Sequence, residues 1–102
     1  MRIIQIIDSL DAGGAERMAV NYANVLADEI QFSGLVSTRK EGFLKEEINP
    51  NVSYLFLEKK QQLDFKALLR LRSFVVKNKV SYIHAHSTSF FSFFIKNNAT
   101  FC

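Results

Sequence analysis

Ile3-Ile4-Gln5-Ile6-Ile7, followed by Asp8-Ser9-Leu10-Asp11-Ala12-Gly13-Gly14-Ala15-Glu16-Arg17, decides how the chain is read. The first five residues are almost continuously β-branched and apolar. A strand that alternates apolar and polar residues has one wet face, whereas an unbroken apolar run belongs to a strand covered on both, in the middle of a parallel sheet. From Ala15 to about Asp28 the period changes to that of a helix. Met18, Ala19, Tyr22, Val25 and Leu26 share one side, and Arg17, Asn21, Asn24 and Asp28 the other. Ala19, Ala23 and Ala27 supply a small-residue stripe that would let this helix lie close to the sheet.

Working outward, Phe32 to Thr38 and Val52 to Leu57 have strand composition. They are separated by a charged stretch and by the turn signal Asn49-Pro50-Asn51. Asp64 is placed to cap a helix running to about Asn78. Phe65, Leu68, Leu69, Leu71, Val75 and Val76 form its apolar arc, with Arg72 intruding into it. Val80 to His84 reads as a fourth strand, and 88–96 as the start of a third helix. Strands alternating with helices predict an α/β, Rossmann-like parallel sheet with flanking helices. In such sheets ligands sit beyond the carboxyl ends of the strands, where strand order reverses. That rule selects 8–14 and 85–89 for scrutiny.

Composition narrows the function classes. With 102 residues, 48% of them hydrophobic and 23% charged, the chain has room for one domain and no sign of disorder. The single cysteine, Cys102, cannot form an intramolecular disulfide, and the N-terminal apolar block is too short for a signal peptide or a membrane span. A cytoplasmic protein is the expectation. The net charge of +3 reads first as a solvated face, and second as peripheral contact with an anionic membrane surface at the inner leaflet. Nucleic acid is not an expected partner, because no basic-aromatic interleaving or recognised motif is present.

Gly13 and Gly14 lie between a strand and a helix, so their N–H groups and the positive end of the helix dipole can meet an anion such as a phosphate. The spacing is neither G-x-G-x-x-G nor a P-loop, which disfavours a dinucleotide or a nucleoside triphosphate. The plainer alternative is a tight turn whose dihedrals require glycine. Glu16 reads as a first-turn acid. In Ser81-Tyr82-Ile83-His84-Ala85-His86-Ser87-Thr88, His84 and His86 point to the same side of an extended chain. His84 is expected to hydrogen-bond within the core. His86 is expected to project past the strand end and to titrate near neutrality or donate to a polar substrate. No third ligand lies nearby in sequence, so no metal is expected. Ser87 or Thr88 suffices as a cap for the next helix, and no nucleophile elbow is present.

Together, "MRIIQIIDSLDAGGAER" and "VSYIHAHST" resemble the N-terminal half of the GT-B-fold glycosyltransferases of family 4. The resemblance implies a retaining enzyme that moves a sugar from a nucleotide-sugar donor to a glycan or lipid-linked acceptor in cell-surface polysaccharide synthesis, usually without a metal and with no cofactor. It implies that Gly13 and Gly14 approach the donor phosphates and that His86 contacts the donor sugar as the catalytic-site histidine. It also implies a C-terminal nucleotide-sugar domain, supplied in cis or in trans, that is not found in residues 1–102. The chain alone is therefore expected to be an inactive, partial N-terminal domain. Two alternatives stay open at this point, a non-catalytic subunit of a split transferase and a flavodoxin-like module binding a phosphate ligand.

Overall fold

The computed structural model describes residues 1–60, 64–86 and 100–101. Its elements in chain order are β1 (Arg2–Ser9), α1 (Gly14–Glu29), β2 (Phe32–Lys40), a 3₁₀ turn (Phe43–Glu47), β3 (Ser53–Phe56), α2 (Phe65–Lys77), β4 (Tyr82–Ala85) and β5 (Thr100–Phe101). The strands form one sheet in the order β3-β2-β1-β4-β5, and every pairing is parallel. This is an α/β, Rossmann-like fold. The helix expected over 88–96 lies outside the described residues.

β1 is the central strand, as its composition requires. Ile4 and Ile6 are buried on one face with Val36, Leu71, Val75 and Ile83, against α2. Ile7 is buried on the other with Leu10, Ala19, Val20, Ala23 and Leu35, against α1. Period-two alternation thus sends successive β1 residues into two separate cores. Each fully buried Ile or Leu contributes about 1.5–3 kcal/mol over its exposed state, so both faces must be covered for the strand to be stable.

The helices bury narrower stripes than their apolar patterns suggest. In α1 the buried residues are Ala19, Val20 and Ala23, whereas Met18, Tyr22 and Val25 are 51%, 44% and 61% exposed. The small residues face the sheet because they let the helix axis approach it, and the larger ones are carried to the flank. Ser33 strengthens this close contact by donating its Oγ hydrogen to the carbonyl of Ala23 at 2.7 Å. In α2 only Ala67, Leu71 and Val75 are buried, and Phe65, Leu69 and Val76 stay exposed. Arg72 therefore lies outside the buried stripe, and Arg70 reaches back to donate to the carbonyls of Leu57 and Phe56 at the end of β3.

Asp64 caps α2 as expected. Its Oδ1 accepts from the Ala67 N–H at 3.2 Å, and its Oδ2 accepts from the Lys60 N–H at 3.0 Å. These backbone donors hold the carboxyl below the usual carboxylate range. Asp64→Ala leaves both donors without the carboxylate and is expected to lower the urea midpoint with an unchanged m-value; an unchanged midpoint would show that the cap is dispensable.

Candidate functional site

The switch point lies between β1 and β4. From β1 the chain runs through α1 to β2 on one side, and on the other side β4 pairs with β1 through Ile3–Tyr82, Ile4–Ile83, Gln5–His84 and Ile6–Ala85. The His86 N–H donates to the Ile6 carbonyl at 2.9 Å and extends this ladder by one residue. Gly13 and Gly14 follow β1 and His86 follows β4, so both candidate groups stand at the carboxyl end of the sheet, on its two central strands.

Gly13 is the N-cap of α1, with φ −137° and ψ 173°, and neither glycine has a positive φ. The turn does not demand glycine for its dihedrals, and Gly13 serves it as a favoured N-cap residue. A Cβ on Gly14 would meet nothing within 4 Å, so its backbone is open to close approach. A Cβ on Gly13 would lie 2.6 Å from Glu16 Oε1. The Glu16 carboxylate has thus curled over the start of α1, where Ser9 Oγ also donates to its Oε2 at 3.4 Å. As an acid in the first turn it is favoured by the positive end of the helix dipole.

The fold uses the missing side chains of Gly34, where a Cβ would lie 2.9 Å from Ile4 Cγ2, and above all of Gly42. A Cβ there would fall 2.6 Å from the Leu10 carbonyl carbon and oxygen and 2.7 Å from the Asp11 nitrogen. The Leu44 N–H then bonds the Leu10 carbonyl at 3.0 Å, so the segment before α1 rests on the 3₁₀ turn. Around it, Asp8 accepts from Thr38 Oγ1 at 2.8 Å and pairs with Arg39 at 3.9 Å, and Asp11 pairs with Lys40 at 3.2 Å. These ion pairs are exposed and add little stability, but they fix the charge pattern of the rim.

The structure corrects the part expected of His86. Its side chain is tied into the fold: Nε2 lies 2.7 Å from Oε1 of Gln5, a side chain only 1% exposed. An amide oxygen can only accept, so Nε2 carries the proton and Nδ1 the lone pair. Burial, and secondarily the neighbouring His84, lower the His86 pKa from 6.5 to about 4. The expectation of titration near neutrality is corrected accordingly, because desolvation penalises the charged ring. His84 stacks on His86 with ring centroids 4.1 Å apart, and Tyr22 of α1 lies 5.6 and 6.0 Å from the two imidazoles.

Tyr22 is eight residues beyond Gly14, about 12 Å along the helix axis. The imidazole contacting Tyr22 therefore leans back along the sheet, away from the glycine turn, although both start from the same end. Among the described residues no three His, Cys, Asp or Glu side chains group as a metal site would need. Gln5, Tyr22 and Gly42 were not singled out as site residues from sequence. A lone glutamine in a run of isoleucines was a usable signal, since a polar group in a doubly covered strand must find a partner.

Gly42→Ala is expected to lower stability by about 1–3 kcal/mol, because the added methyl meets backbone that cannot rotate away. Gly14→Ala is expected to raise it by up to about 1 kcal/mol, by reducing the freedom of the unfolded chain at an unobstructed helical position. Thermal melts of the two variants check the pair, and equal shifts would contradict the assignment. No protein-family model, curated protein or solved structure matches the chain.

Proposed function

We propose that this chain is the N-terminal, acceptor-side portion of a retaining glycosyltransferase of the GT-B family 4 type. The observation that supports this most is that the glycine turn and the His86 backbone follow the carboxyl ends of β1 and β4, flanking the switch point where α/β sheets hold ligands, with the imidazole itself turned back toward Gln5 and Tyr22. The likeness of the two motifs to that family supplies the reaction class. A nucleotide-sugar donor is the substrate on this reading, and a second domain supplies most of its nucleotide contacts.

The chemistry assigned to the present residues is electrostatic and positional. First-turn N–H groups of α1 point toward a departing diphosphate, and open space at Gly14 admits its oxygens. The Glu16 carboxylate, lying beside Gly13, repels a second anion there and has to swing aside to admit it. His86 is neutral at pH 7, so its part is to hydrogen-bond the transferred sugar and orient it rather than to pass a proton. That step requires the imidazole to give up Gln5 or to use its free Nδ1.

Amide chemical shifts of the purified chain, titrated with a uridine-diphosphate sugar, test this reading. Weak binding at millimolar concentration is expected to move the amides of 13–17. Gly14→Val should abolish the shifts and Glu16→Gln should strengthen binding several-fold, with no sugar transfer by the chain alone. No response at those amides, or weaker binding by Glu16→Gln, would contradict the assignment.

A further inference from the structure

A cavity of about 450 Å³ opens on the α1 face of the sheet, away from the glycine turn. Ile3, Tyr22, Leu26, Tyr82 and His84 line it, exposed Val25 stands at its edge, and Gln5 lies in its floor. The volume falls in the range of small-molecule sites, and the lining is apolar and aromatic with few polar groups, as such sites are.

One polar group there has donors left over among the described residues. The Gln5 carboxamide is 1% exposed, and its oxygen is taken by His86. Its nitrogen carries two N–H donors that have no partner among the described residues. An unpaired buried donor is destabilising, so it is retained at a cost unless something else accepts from it. Isoleucine or valine at this position would fit the strand pattern with no such penalty, and an acceptor reaching through the cavity removes it. Tyr22 and His84, with ring centroids 5.6 Å apart, add a π surface at the wall.

We infer that this cavity binds a small aromatic molecule that carries one hydrogen-bond acceptor, its ring against Tyr22 and His84 and its acceptor on the Gln5 amide nitrogen. The cavity adjoins the proposed donor site through Gln5, which also holds His86, but its lining includes neither His86 nor the glycine turn, and the inference does not rest on the transferase reading. The purified chain is titrated with 2-acetylnaphthalene and with 2-ethylnaphthalene, which match in shape and differ in the carbonyl, while the side-chain amide resonances of Gln5 are followed. The acetyl compound is expected to bind about ten-fold more tightly, the worth of one satisfied hydrogen bond, and to shift the Gln5 side-chain amide. Val25→Arg, a change at an exposed position, should weaken both at least ten-fold by closing the cavity mouth. Equal affinities would mean that water already satisfies Gln5 and would overturn the inference. So would absence of binding up to the solubility limit, or a self-association broken by Val25→Arg, which would make a second copy of the chain the occupant.

Discussion

The molecule is organised by a strand that has no exposed face. Ile4 and Ile6 go into one core and Ile7 into the other, and neighbours pair with β1 along both edges. A chain that must bury such a strand needs a helix on each side of the sheet, and right-handed parallel crossovers deliver them in opposite directions from the centre. The same constraint isolates Gln5. Water cannot reach its carboxamide freely, so a partner must come from the next strand, and His86 provides one from just beyond the end of β4. The imidazole's tautomer and charge are thereby consequences of how the central strand is buried.

Much of the architecture was legible in residue order. The doubly buried strand, the change to helical period after Gly14 and the Asp64 cap each rest on short-range chemistry, and each is found within a residue or two of the expected place. The helix faces were less legible. Met18, Tyr22 and Val25 outweigh Ala19 and Ala23 in hydrophobicity, but the sheet selects the residues that permit close approach, and closeness is a property of the pair of elements. Phe65, Leu69 and Val76 were misassigned to the buried arc of α2 for the same reason.

The candidate site was legible in outline and mistaken in detail. Sequence placed the glycine turn and the histidine pair at the ends of central strands, since that follows from topology. That His86 would be bound into the fold depended on Gln5 lying 81 positions away, a contact that no local pattern encodes. Gly13 and Gly14 attracted attention by being adjacent, yet the close backbone approach falls on Gly42, set in a charged stretch with nothing to mark it. As folded, Glu16 lies beside Gly13 at the helix terminus and His86 is bonded to Gln5. Any anionic or sugar ligand at the switch point has to replace these two internal contacts, and its affinity is reduced by what they are worth.

The account stands on His86 being a neutral, Nε2-protonated imidazole held by a buried glutamine. Nitrogen-15 NMR of the imidazole ring across pH 3 to 8 measures both properties in one experiment. The structure predicts an Nε2–H tautomer that persists through neutrality and takes up its second proton with a midpoint of about 4. A midpoint near the ordinary 6.5, or a proton resting on Nδ1 at pH 7, would contradict it.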